Sequence, residues 1–200
     1  TVVRAQALTG PLDVGVSGGS LNLTNLGGGL VLNSKDATFK VQGLSGACRL
    51  EAHGGSGELT GLATGGDLHV SETALRLTGG KGDVTVNSDA GVEFQNMAAS
   101  MRFEMDGGTL RGIGNQGSVT VRARRTDINL AGISGDLNLD VAGGGVVVQR
   151  ITGSVAAVVF GADARFLELQ GALRLHIGGG DADVAWAAIA GDKDSLLENN

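Results

Sequence analysis

The sequence predicts an all-β fold: a single-stranded parallel β-helix (β-solenoid) of about ten coils of roughly 18 residues. Three observations predict it. Gly10, Gly28, Gly46, Gly66, Gly82, Gly117, Gly135, Gly153 and Gly171 each open a Gly–x–apolar–x–apolar phrase, and Ala99 fills the one gap before Met101 and Phe103. The steps are 18, 18, 20, 16, 17, 18, 18, 18 and 18 residues, and so short a period belongs to solenoids. Second, the positions two and four after the marker are apolar in every coil, from Leu12 and Val14 to Leu173 and Leu175, in a chain that is 42% hydrophobic. Third, 36 glycines, one proline and 3% aromatics suit a thin core of Leu, Val and Ile, and the three-residue glycine period of collagen is absent.

Each element follows from this register. Residues 1–8 read as a leading strand. The first strand of a coil alternates buried Leu12, Leu30, Cys48, Leu68, Val84 and their successors with polar Asp13, Arg49, His69, Thr85 and Arg102. Alternation of period two is a half-buried strand. A second strand follows about nine residues on, at Leu21/Leu23, Phe39/Val41, Ile128/Leu130, Val146/Val148, Ala164/Phe166 and Ala182/Val184. A third apolar position closes the coil at Leu26, Leu44, Leu62, Ile113, Ile133, Ile151 and Leu169. The marker glycine reads as a turn residue that needs either positive φ or close backbone approach. Asp and Ser after it, as at Asp136 and Ser154, read as turn caps.

The period loosens at 54–66 and 89–99. His53-Gly-Gly-Ser-Gly57 reads as a slack turn, Leu75/Leu77 arrive early, and Val92/Phe94 are displaced by one. Met97, Met101, Phe103 and Met105 read as soft filling of a widened coil. Ten coils at about 4.8 Å make a rod of roughly 48 Å. Right-handed crossovers are the default for parallel strands, although the sequence leaves handedness open. Residues 1–187 form the solenoid domain, and 188–200 a C-terminal cap, linker or truncated continuation. A chain that opens on Thr without a leader reads as a piece of something longer.

A net charge of −6 and a pI near 5.0 argue against nucleic acid and anionic membrane as partners. The densest basic cluster, Arg122, Arg124 and Arg125, reads as a solvated strand end. The one cysteine, Cys48, reads as a buried small hydrophobe beside Leu30 and Leu68. No run of 18 apolar residues suggests direct membrane insertion. His53, His69 and His176 match no zinc spacing, and Gly80-Lys-Gly-Asp83 lacks the P-loop pattern. Gly178-Gly-Gly-Asp-Ala-Asp183 is similar to a calcium-binding nonapeptide but occurs once. Glu104 and Asp140 share an outward column with Arg122 between them, an arrangement that singles out no glycosidase pair. The chain is therefore expected to be no enzyme and to use no cofactor or metal.

One surface feature stands out. Val147, Ala156 and Val158 place apolar residues in outward columns, with Phe160 and Trp186 close in the pattern. A contiguous apolar patch marks a contact, with another chain, another domain or the tail at 191–200.

Thr78-Gly-Gly-Lys-Gly-Asp-Val-Thr-Val86, Ile133-Ser-Gly-Asp-Leu-Asn-Leu139 and Leu169-Gln-Gly-Ala-Leu-Arg-Leu175 resemble the bacterial adhesin-type β-solenoid domains nicknamed toastrack, built from G-[DS]-[LV]-x-[LV] strands. The resemblance spans residues 7 to about 187. A second resemblance is to filamentous-hemagglutinin-like secreted solenoids, whose repeats are usually richer in Asn and Ser. The first implies no catalytic residues. It implies a domain of bacterial surface or envelope proteins, so an extracytoplasmic setting is favoured and a cytoplasmic one stays open. The expected role is structural or adhesive, a rigid spacer or a face presented to a protein or glycan surface ligand. The alternatives are a homo-oligomeric scaffold polymerising end to end through open coil edges, and a carbohydrate-active β-helix enzyme.

Overall fold

A computed structural model describes residues 2–187 and 195–199; of the expected C-terminal cap, linker or truncated continuation at 188–200, residues 188–194 and Asn200 lie outside the described residues. The strands are β1 (Val2–Gln6), β2 (Leu12–Ser17), β3 (Ser20–Leu26), β4 (Leu30–Leu44), β5 (Cys48–Leu62), β6 (Gly65–Thr78), β7 (Asp83–Ser88), β8 (Val92–Met97), β9 (Met101–Asp106) and β10 (Thr109–Asn115). They continue as β11 (Val119–Arg124), β12 (Asp127–Ile133), β13 (Leu137–Ala142), β14 (Val146–Ile151), β15 (Val155–Phe160), β16 (Ala164–Leu169), β17 (Leu173–Gly178), β18 (Ala182–Trp186) and β19 (Leu196–Asn199). Among the described residues all regular structure is strand, and every ladder is parallel.

Two stacks of eleven rungs result, joined through the long strands β4, β5 and β6, which run around a corner from one stack to the other. Sheet I contains β1, β3, the second halves of β4 to β6, β8, β10, β12, β14, β16 and β18. Sheet II contains β2, the first halves of β4 to β6, β7, β9, β11, β13, β15, β17 and β19. The apolar columns face each other between the sheets and form one continuous core. One coil has no interior of its own, so burial comes from stacking on its neighbours. The predicted solenoid is thus the observed fold, with the leading strand present as β1. The eleventh rung of sheet II is β19, placed on β17 at a step of 22 residues.

The structure corrects the register in three places. Steps of 20 and 16 residues do not occur: Cys48 pairs with Gly66 and Leu50 with Leu68, so the 18-residue step runs unbroken through β5, β6 and β7. Gly66 is an interior residue whose space Cys48 fills, since a Cβ on Gly66 would lie 2.9 Å from that of Cys48. The corner belongs to Thr64, on which Gly82 stacks. Cys48 therefore neighbours Leu30 and Gly66 rather than Leu68.

The second correction concerns the supposed slack turn. Gly54 and Gly55 form an ordinary corner at φ 71° and 98°, and Gly57 lies in the core against the ring of Phe39. The irregularity around 89–99 is a single deletion, with Leu75 pairing Val92 and Val84 pairing Met101 at steps of 17. That coil is shortened, not widened, and Met97, Met101, Phe103 and Met105 are all buried in it. The third correction is Ile113, which is 56% exposed. Asn115 takes its interior place, pairing Met97 and Ile133, and its amide donates to the carbonyls of Ala99 at 3.1 Å and Gly117 at 2.7 Å.

Six of the marker glycines resolve into close approach rather than unusual φ, while Gly82, at φ 78°, combines both. Gly28, Gly46, Gly117, Gly135, Gly153 and Gly171 all have ordinary φ, but a Cβ on any of them would overlap the peptide of the corner one coil earlier. Positive φ recurs in a sheet I column through Asn25, Gly43, Gly61, Gly79, Asn96, Gly114 and Gly132, which also takes in Ala7, Arg150 and Glu168, and again at corners such as Gly54, Gly107 and Gly143. Glycine and asparagine adopt that left-handed conformation at least cost. Turn caps also act between coils: the Asp136 carboxylate accepts from the amide of Ser154 at 2.9 Å, and Asp127 from that of Gly145 at 2.9 Å.

Candidate binding groove

Because outward side chains on sheet II repeat once per rung, they form ladders parallel to the rod. Two ladders bound a continuous open groove of about 1440 Å³ that runs across eight rungs, from β2 to β13. One ladder runs through Gly15, Asn33, Glu51, His69, Asn87, Glu104, Arg122 and Asp140. The other runs through Ser17, Lys35, His53, Ser71, Asp89, Asp106, Arg124 and Ala142. No Phe or Trp lines the groove, and its four Lys and Arg face five Asp and Glu.

Four of these nine charges are held in ion pairs. Arg49 meets Glu51 at 3.4 Å, Arg102 meets Glu104 at 2.8 Å, and Arg125 meets Asp106 at 2.7 Å. His53 Nδ1 lies 2.7 Å from the Ser71 hydroxyl. The Asn87 amide nitrogen lies 3.4 Å from His69 Nδ1, and His69 Nε2 lies 3.3 Å from an Asp67 oxygen. The hydrogen bond from Arg102, joined by the charges of Arg102 and Arg122, holds the Glu104 carboxyl below the usual range. Glu104 is therefore ionised near neutral pH, which suits an acceptor and not a general acid. Lys35, Arg122 and Arg124 form no ion pair with the described residues and leave their donors to a ligand.

The expected apolar patch is divided. Ala156, Val158 and Phe160 project together from β15 on the outer face of sheet II, beyond the groove's end. Val158 is 38% and Phe160 47% exposed. The Phe160 ring covers Gly178 and meets His176 edge-on at a centroid distance of 5.6 Å. Val147 stands on β14, on the opposite outer face between Asn129 and Arg165. Trp186 ends β18 beside Leu169 and packs partly into the core. The tail strand comes close to the β15 group: Leu196 and Glu198 share a shallow 370 Å³ depression with Ala156 and Val158, and Glu198 reaches His176 at 3.4 Å.

The groove ladders were present in the sequence only as outward positions. Their shared geometry required the corrected register, which puts His69 beside Glu51 and Asn87 rather than beside Arg49 and Thr85. Among the described residues no group of three or more His, Cys, Asp or Glu could hold a metal ion, and no helix is long and apolar enough to cross a membrane.

Cys48 is buried, and desolvation pushes its thiol from 9.0 up to about 12. The folded protein is expected to be silent to a thiol reagent near neutral pH, and to react with one equivalent when denatured, as absorbance would show. Because the folded value is raised, the neutral thiol's contribution to stability is complete below pH 9.0 and lost as pH rises toward about 12.

No protein-family model, no curated protein and no solved structure matches this chain.

Proposed function

We propose that this chain is a non-enzymatic adhesive module, a rigid β-solenoid of a bacterial surface or envelope protein, and that its groove holds an extended glycan. The toastrack resemblance supports the setting, and the groove supports the binding. The single observation that carries the reading is the unbroken run of hydrogen-bonding side chains over eight rungs of one face. A ladder with a rung about every 4.8 Å presents donors and acceptors at regular intervals to a ligand lying along the rod. The near balance of charge disfavours a polyanion, and the absence of Phe and Trp disfavours the aromatic anchors of a protein interface.

A glycan array probed with the intact chain tests this. Asn87→Trp fills the middle of the groove and is expected to weaken binding about tenfold or more. Asn129→Trp, on the outer face of sheet I, is expected to leave binding unchanged. Loss of binding in both variants, or no binding by the parent chain, would overturn the reading.

A carbohydrate-active enzyme is the second reading, favoured by Glu104 and Asp140 flanking Arg122 within the groove. Two rungs separate their backbones by about 9.6 Å. The lowered Glu104 carboxyl could serve as the base of such a pair and not as its acid. Release of reducing ends from a bound glycan, abolished by Glu104→Gln, would put this reading in place of the first.

A further inference from the structure

Resting on the glycan reading of the groove, we infer that its far end is a subsite for one acidic sugar: Arg124 and Arg122 hold the sugar carboxylate, and the Phe160 ring carries the next sugar of the chain. Arg122 and Arg124 project two residues apart from the same face of β11, about 6.6 Å along the strand. Both are exposed, and neither forms an ion pair with the described residues. Their surroundings differ. Arg122 lies in register between Glu104 and Asp140, which answer part of its charge. Arg124 has Asp106 on one side, and Arg125 already holds that carboxylate at 2.7 Å. On its other side stands the small side chain of Ala142. No acid in its column remains to satisfy the Arg124 guanidinium. A guanidinium grips a planar carboxylate through two parallel N–H bonds, a fit that a neutral hydroxymethyl group cannot make.

The same two columns then turn apolar. One rung beyond Asp140 and Ala142 stand Val158 and Phe160. Arg122 and Asp140 line both the groove and the shallow depression that holds Val158 and His176, so the surface runs on without a break. Gly178 supports the Phe160 ring from the next rung, and the residue stays exposed. The face of an aromatic ring is negative, and the C–H bonds on one face of a pyranose pack against it. Two rungs separate Arg124 from Phe160, about 9.6 Å between their backbones, a reach that suits a disaccharide. Between them the Asp140 carboxylate accepts from sugar hydroxyls. One carboxylate followed by one apolar ring face thus defines the ligand. A polyanion would instead run into Glu51, Asp89 and Glu104 further along the groove.

A glycan array of matched pairs tests the subsite, each pair differing only in one carboxylate: a uronic acid against its hexose, or a chain with a sialic acid against the same chain without it. The parent chain is expected to bind the acidic member about tenfold more tightly, and the preference should shrink as salt is raised. Arg124→Gln should bring the acidic member down to the level of the neutral one and leave the neutral one unchanged. Phe160→Ala should weaken both members alike, about threefold to tenfold. Arg165→Gln, on the outer face of sheet I, removes an equal charge and should leave the preference intact. Far-UV circular dichroism confirms that each variant is folded. A preference within the uronic or the sialic pairs that Arg124→Gln abolishes bears the inference out and names the source of the carboxylate. Equal binding of both members by the parent chain, a preference that survives Arg124→Gln, or binding indifferent to Phe160→Ala would overturn the inference and leave the groove reading standing. Absence of binding to every member would overturn both.

Discussion

Replacing Gly135 by alanine is expected to cost about 4 kcal/mol and to split the unfolding of the rod into two steps. The added Cβ would stand 2.5 Å from both the carbonyl carbon and the oxygen of Gly117, and 2.7 Å from the nitrogen of Ser118. All three are backbone atoms, so no side-chain rotation relieves the overlap. Widening the corner would lengthen the bonds on either side of it, Ser134 N to Asn115 O at 2.8 Å and Val119 N to Asp136 O at 2.9 Å. The φ of Gly135 is ordinary, so the cost comes from contact and not from conformation. Nearest-neighbour coupling between coils is what makes a solenoid unfold as a unit, and a defect in the middle weakens that coupling.

Trp186, the only tryptophan, reports on the C-terminal coils, while far-UV circular dichroism reports on the whole rod. In the parent chain the two signals should share one denaturation midpoint, and in Gly135→Ala they should separate. Gly15→Ala is the control. Its Cβ would meet nothing within 4 Å and its φ is not positive, so it should change stability by less than about 0.5 kcal/mol. A Gly135→Ala chain that unfolds at the parent midpoint would show that the corner opens freely.

Gly112→Ala is expected to destabilise by about 3 kcal/mol, through a different kind of overlap. Gly112 pairs in register with Phe94, and the Phe94 ring occupies the space where the side chain of Gly112 would go. That ring is fully buried and stacks on Phe103 at a centroid distance of 5.3 Å, so it has no free direction in which to turn. Phe94→Leu alone leaves a void and should cost about 1–2 kcal/mol. The double variant Phe94→Leu/Gly112→Ala shares the volume between the two coils and should be more stable than the sum of the single losses by at least about 1 kcal/mol. Urea unfolding at constant m-value measures each corner of this cycle. Strict additivity would show that the two residues do not compensate. Phe39 and Gly57 form the same pair in an earlier coil and should respond alike.

Much of this architecture was legible in the sequence. Alternation at Leu12/Val14, Leu30/Leu32 and their successors marks a strand without any knowledge of its neighbours, because burial on one side of a pleat leaves a period of two. The marker glycines exposed the coil length, because corner must stack on corner. The errors came where a glycine had two possible reasons to be there. Gly66 looks like a corner in sequence but is an interior residue beside Cys48. Gly57 looks like a slack turn but makes room for Phe39. Ile113 looked like core because it is apolar, whereas the column belongs to Asn115, whose amide satisfies two corner carbonyls.

Periodic burial is a local property, and the sequence by itself determined it: strands, parallel stacking, an 18-residue coil and a rod. Volume is shared between residues 18 positions apart, and only the tertiary structure decided which glycine answers which ring. The same holds for the surface. The groove exists because outward residues of eight coils fall into line, and the five apolar candidates separate because β14 and β15 belong to opposite sheets. Which side chains share a face depends on the exact register of every preceding coil. A one-residue deletion such as that between Leu75 and Val92 shifts every later column, and pairing across the ladder is what reveals it.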